Sequence, residues 1–162
     1  MKPKKPLTPD TIIRHCKGWE TISLYAISEA NTCKWVCLDI DDHDGTEAEK
    51  TTAYTFKLVA TIRDLGFEPL VENSGGGGGW HVWLLFREPI LSQVAYRFGH
   101  WLVESHCPAT ATVEVFPSQE CLTDTSRFGL AVRVPGFHPK REAWSRIYDA
   151  VPFPKILAAS TA

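Results

Sequence analysis

The sequence predicts an α+β fold in which helices pack on one side of a mainly antiparallel sheet. Three observations carry that prediction: an apolar strand at residues 34–40, a second at residues 80–86 that follows a run of glycines, and two amphipathic stretches set between strand signals. Taken in order, Thr8, Pro9 and Asp10 offer an N-cap, a proline at the first helical position and an early acid, so a short helix runs toward His15 and ends at Gly18. Residues 21–27 alternate as a strand, and residues 34–40 read as its neighbour after a polar turn. Thr46 and Glu49 have capping-box spacing, and Ala53, Phe56 and Ala60 recur at helical period until Gly66, which predicts a long amphipathic helix. A strand over residues 68–72 pairs antiparallel with residues 80–86 in a hairpin with a glycine tip, and Pro89 closes it. Ser92 caps a further helix whose buried stripe is Val94, Phe98, Trp101 and Leu102, ending near His106 and Pro108. Two last strands occupy residues 110–116 and 129–134. No repeat or linker interrupts this order, so residues 1–157 read as one domain and Ala158 to Ala162 as a disordered tail.

A net charge of -2 and a pI near 6.3 argue against a protein that coats nucleic acid, which needs a strong excess of Lys and Arg. A local basic surface remains open, because basic residues gather at Arg127, Arg133, Lys140, Arg141 and Arg146 while acids gather at positions 39 to 49. The odd count of five cysteines, without paired C-x-x-C spacing or a leader, points to reduced thiols in the cytosol. No apolar run approaches the roughly 18 residues of a membrane span, so a soluble protein with no membrane partner is expected.

Chemistry concentrates in three short segments. Asp39 and Asp41 end the apolar strand at i and i+2, on one face, where unpaired charge at a core edge is costly unless a cation compensates. A calcium loop fails on spacing, since counting from Asp39 puts Asp44 where that loop needs its glycine. Ser74 and the glycines 75 to 79, including Gly76, Gly77 and Gly78, form the second segment. Successive glycine N–H groups can make an anion-binding nest, although a glycine run also gives a floppy hairpin tip. His81, directly after the loop, favours the nest, and Trp80 and Trp83 beside it read as core residues. No Gly-Lys-Ser/Thr follows, which excludes a Walker A loop, and a strand rather than a helix comes next, which excludes a dinucleotide fingerprint. His81-Val82-Trp83 lacks the second histidine of a relaxase. Glu114, alternating with Val113 and Val115, could complete a metal cluster with the aspartates. Cys107, Cys121, His100 and His106 match no usual zinc spacing, and Cys16, Cys33 and Cys37 read as core thiols.

The order of these segments resembles the catalytic domain of the archaeo-eukaryotic primase superfamily, in particular the primase-polymerases of plasmids, phages and conflict systems. Residues 15–25 look like the leading segment, Leu38-Asp39-Ile40-Asp41-Asp42-His43 like the first motif, residues 72–83 like the second, Glu114-Val115-Phe116-Pro117 like the third, and residues 132–140 like the strand and turn after it. The resemblance implies a catalytic core with an RRM-like, mainly antiparallel sheet. It also implies two Mg²⁺ or Mn²⁺ ions held by Asp39, Asp41 and Glu114, and an NTP or dNTP triphosphate held by Ser74, the glycine loop and His81. The glycine loop is slightly longer than the family form and lacks its basic residue, which moves the remaining phosphate contacts to Arg133 and Lys140. The implied activity is template-directed nucleotidyl transfer on DNA, as primase, polymerase or both, by a prokaryotic or mobile-element protein working beside a helicase or accessory domain. A nucleotide- or nucleic-acid-binding module with little synthetic activity, and a metal-dependent nuclease, are the competing readings.

Overall fold

In the computed structural model, which describes residues 7–41, 47–75, 78–108, 112–126 and 128–148, the apolar run at residues 34–40 becomes the core of the central strand. Among the described residues, nine strands and three helices follow the chain as α1 (Pro9–Cys16), β1 (Ser23–Tyr25), β2 (Thr32–Asp41), α2 (Ala48–Asp64), β3 (Leu70–Asn73), β4 (Trp80–Leu91), α3 (Ser92–His106), β5 (Thr112–Phe116), β6 (Ala131–Arg133), β7 (Phe137–His138), β8 (Ala143–Trp144) and β9 (Arg146–Tyr148). The main sheet has the order β5-β2-β4-β3-β9 and every pairing in it is antiparallel. The segment β2-α2-β3-β4-α3-β5 is therefore two interlocked split β-α-β units, the arrangement of ferredoxin-like and RRM sheets. Right-handed crossovers put both helices on the same face. There Val36, Leu38 and Ile40 of β2 meet Leu84, Val82 and Trp80 of β4 and form the buried core.

The helices find that core by stripes that differ from the expected ones. On α2 the buried positions are Thr51, Thr55, Phe56, Leu58, Val59 and Ile62, whereas Ala53 and Ala60 face solvent. Thr55 can sit in this stripe because its hydroxyl donates to the Thr51 carbonyl at 2.7 Å. Glu47, not Thr46, occupies the N-cap position of α2, and Thr46 lies outside the described residues. On α3 the stripe is Ala95, Gly99 and Leu102, while Val94 and Trp101 are exposed. Close approach explains the exchange, because a Cβ on Gly99 would lie 2.6 Å from Val115 Cγ1 and 3.2 Å from Val36 Cγ1. Only a small residue fits at Gly99, so Val94 and Trp101 stand on the flanks, while Leu102 is buried as expected. Ser92 does not cap α3; its hydroxyl donates to the Glu120 carbonyl at 2.6 Å, and Leu91 stands at the N-cap.

Three further corrections concern strands. Residues 21–27 do not neighbour β2, because β4 and β5 take both of its edges; β1 instead pairs with β6 in a separate two-stranded sheet, Ser23 opposite Arg133 and Tyr25 opposite Ala131. Pro89 does not close β4, which runs to Leu91. The β2–β4 register jumps from Trp35–Leu85 to Cys33–Ile90, so residues 86–89 stand against Lys34 alone, and the proline sits where the ladder needs no N–H. The β7–β8 hairpin and β9, which adds to the outer edge of β3, were not expected. The first helix is as expected, with Thr8 Oγ1 accepting from the Thr11 N–H and Gly18 in the left-handed region at φ 74°. No helix among the described residues is long and apolar enough to cross a membrane. The tail at residues 158–162 lies outside the described residues.

Candidate active site

Register on the helix-free face builds the site. Asp39 stands opposite Glu114 on one side and His81 on the other, and His81 stands opposite Glu72. Residues directly opposite share a face, so Glu114, Asp39, His81 and Glu72 form one row across β5, β2, β4 and β3. Asp41, two residues beyond Asp39, shares the face. His81 is buried within the row. Its Nδ1 donates to Glu72 Oε2 at 2.8 Å and its Nε2 faces Asp39 Oδ1 at 3.3 Å. Glu72 is fully buried, and the same Oε2 accepts from the indole N–H of Trp83 at 3.0 Å. Burial by itself would lower the His81 pKa, but hydrogen bonds and charge from Asp39 and Glu72 outweigh it and raise the pKa to about 9. The ring is therefore an imidazolium at neutral pH, donating from both nitrogens. Under the row, burial, then Asp39 and Glu72, push the Cys37 thiol well up, as for a neutral core thiol. Cys33 and Cys107 are likewise raised to about 11 by burial.

The hairpin tip packs onto this row. The Ser74 N–H donates to the Gly79 carbonyl at 3.0 Å, closing the loop above the Asn73–Trp80 pair. A Cβ on Gly79 would lie 2.7 Å from Asp41 Oδ1 and 2.8 Å from Ser74 Oγ, so the absence of a side chain there is what lets carboxylate and hydroxyl approach each other. Gly78 adopts φ 83° and Gly75 φ 124°; Gly76 and Gly77 lie outside the described residues.

Facing the acids across a cavity of about 210 Å³ is a basic wall from β6 and the β7–β8 hairpin. Arg133 Nη2 donates to the Ser74 carbonyl, while its Nη1 is buried and has no acceptor among the described residues. His138 and Arg141 line the same cavity, and burial followed by the charges of Arg133 and Arg141 lowers the His138 pKa. Of the residues singled out from the sequence, Asp39, Asp41, Ser74, His81, Glu114 and Arg133 all border this cavity. Lys140 is exposed on the hairpin turn and does not line it. Glu72, His138 and Arg141 are additions. Glu72 was within reach of the sequence, because closing the loop at Ser74 and Gly79 and counting down the hairpin sets Glu72 opposite His81.

A family model for the archaeo-eukaryotic primase domain of TOTE conflict systems matches residues 1–148. The chain belongs to that family. Among solved structures, this primase-family domain is similar to the polymerase domain of Mycobacterium tuberculosis Ligase D in complex with DNA, at 18% identity and a TM-score of 0.49 over 71% of this chain and 44% of that one. It thus spans less than half the length of that structure. No curated protein matches it. The primase domain's acidic wall offers the hard carboxylate oxygens that Mg²⁺ and Mn²⁺ prefer. In their present rotamers no three His, Cys, Asp or Glu side chains among the described residues converge on one point. The donors fit such an ion in kind, and Glu114 is exposed on edge strand β5.

Proposed function

We propose that the domain carries out template-directed nucleotidyl transfer on DNA, as a primase-polymerase. The observation that carries this reading is the pairing of two opposed walls on one cavity, three carboxylates on the sheet and two guanidinium groups across from them. A nuclease would need the carboxylates alone; a triphosphate needs cations and N–H donors facing them as well. The buried, unpartnered Nη1 of Arg133 is a donor awaiting an anion.

In this reading Asp39, Asp41 and Glu114, which line the cavity together, would hold two divalent ions. When bound, such ions lower the pKa of the 3′-hydroxyl and screen charge on the departing oxygens. The protein's share is positioning. Arg133, Arg141 and the Ser74–Gly78 tip hold the triphosphate, Lys140 contributes from the flank, and His81, which lines the cavity, adds positive charge beside Asp39. The 3′ oxygen bonds to the α-phosphorus as the bridging oxygen leaves with pyrophosphate. Glu72 is the residue that orients His81. Origin in a prokaryote or mobile element, and cooperation with a helicase or accessory domain, belong to the same proposal.

The direct test is incorporation of labelled NTPs and dNTPs with Mn²⁺ on a primed template and on unprimed single-stranded DNA. Extension of the primer supports the polymerase reading, and products on the unprimed strand add priming; failure to bind or incorporate nucleotide by folded protein overturns both. Gly79→Ala gives a finer check. The added methyl group displaces the ends of two flexible side chains and no backbone, so stability changes by about 1 kcal/mol or less. Displacing Asp41 and Ser74 should nevertheless lower incorporation by about tenfold to a hundredfold. Denaturant unfolding and single-nucleotide incorporation measure the two halves of that expectation.

A further inference from the structure

Beyond the cavity, the outer end of the basic wall carries an aromatic surface that the nucleotidyl-transfer chemistry does not use. Trp19 is 64% exposed and Trp144 49% exposed. Trp144 packs over Gly18, the residue before Trp19, where a Cβ would lie 3.1 Å from Trp144 Cζ2 and 3.2 Å from Phe137 Cβ, and the Phe137 and Trp144 rings are 5.5 Å apart. Lys17 Nζ lies over the Trp19 ring, 4.6 Å from its centroid.

This surface is fixed relative to the cavity. The hairpin that holds Phe137 and Trp144 also holds His138 and Arg141, which line the cavity. Buried His15 fastens α1 to the entry of that hairpin: its Nε2 lies 2.8 Å from the Pro135 carbonyl, and Gly136 packs against its ring, where a Cβ would come within 2.6 Å. Ser145 closes the hairpin base, its hydroxyl accepting from the Gly136 N–H at 2.7 Å and its own N–H donating to the Gly136 carbonyl at 2.8 Å. Two exposed indoles and a lysine thus belong to a helix end and a hairpin that are fastened to each other, and the hairpin also borders the cavity.

We propose that Trp19, Trp144 and Lys17 form a stacking platform for single-stranded DNA, the template strand on its way to the cavity. The identity of the strand rests on the polymerase reading; the platform itself rests on the exposed rings. Exposed aromatic rings, one of them carrying a lysine over one face, suit bases and phosphates, since every base offers a π-face and phosphates seek Lys and Arg. Trp144 shares its hairpin with Arg141, so a strand that passes round the hairpin edge can use both surfaces. The domain's net charge of -2 concentrates this attraction locally rather than over the whole surface.

The test is binding of a labelled oligo-dT of about 12 nucleotides, a length within the span of a stacking groove, followed by anisotropy and by quenching of tryptophan fluorescence. Trp19→Ala and Trp144→Leu should each weaken binding by about fivefold to a hundredfold and remove part of the quenching, and Trp19→Phe should restore most of the affinity. Trp144→Leu keeps an apolar contact on Gly18, so folding is preserved. Lys17→Gln should reduce the magnitude of the salt dependence of log K by about 0.7, the release expected for one phosphate on a single strand. Metal-dependent nucleotide binding, measured in the same variants, should not change. Wild-type affinity for oligo-dT in both tryptophan variants overturns the platform. So does loss of self-association in those variants with DNA binding intact, which would assign the surface to a second copy. If the wild type binds no nucleotide while oligo-dT binding still depends on the tryptophans, the polymerase reading fails and the platform stands.

Discussion

Replacing Asp39 by alanine is expected to lower nucleotide incorporation by about a thousandfold or more, the loss that follows when about 4 kcal/mol of transition-state stabilisation by bound metal is removed. Asp39 is at the centre of the acidic row, between Glu114 and His81, so its loss acts twice. In the proposed reading a metal ligand disappears, and the Nε2 of His81 loses the carboxylate it faces at 3.3 Å. Asp41→Ala would remove a proposed ligand and leave both His81 carboxylate partners in place. The two variants should therefore agree in activity and differ in the histidine: only Asp39→Ala should lower the His81 pKa, which NMR titration of the ring reads directly. Equal incorporation by Asp39→Ala and wild type would remove the row from the chemistry altogether.

The largest effect on stability is expected at Glu72. Glu72→Leu leaves a buried imidazolium with one partner fewer and the Trp83 indole N–H without an acceptor, at a cost of about 3–5 kcal/mol. Glu72→Gln, whose amide oxygen can still accept both bonds, should lose less. Adding His81→Phe to Glu72→Leu should return part of the loss, because the uncompensated charge goes with it. The same pair sets a pH dependence. The His81 pKa rises from 6.5 to about 9 on folding, so its contribution is fully present below pH 6.5 and is lost as pH rises through about 9. In metal-free buffer the unfolding free energy should fall over that window by an amount on the order of 3 kcal/mol. It should stay flat there in His81→Phe. A flat profile in the wild type would show that the two carboxylates do not hold the proton.

The central strand, the glycine-tipped hairpin and the chemistry-bearing segments were legible because each is local: a period of two, a turn, a charged residue ending an apolar run. What escaped depends on distance along the chain. Nothing near Ser23 says that its partner is Arg133, and β9 reaches β3 from a stretch of sequence with few strand signals. The α3 stripe was misread because large apolar residues draw attention, whereas the buried line is made of Ala95 and Gly99, small where helix meets sheet. Of the candidate site, the acids and His81 were readable as motif residues. The basic wall was only half readable, since Lys140 and Arg141 are neighbours in sequence and the hairpin turn decides which of them lines the cavity.

The interlocked strand order bears on how the chain is made. β2 leaves the ribosome before either of its neighbours: β4 follows only after α2 and β3, and β5 only after α3 as well. During that interval the apolar strand through Val36, Leu38 and Ile40 has two open edges, a template for pairing with other nascent chains. Its two aspartates and Lys34 are the charges at hand to discourage such pairing. The charged residues of the central strand would thus serve first as gatekeepers of synthesis, and charge-neutral variants of the row should be recovered in lower soluble yield even where their folded state is sound.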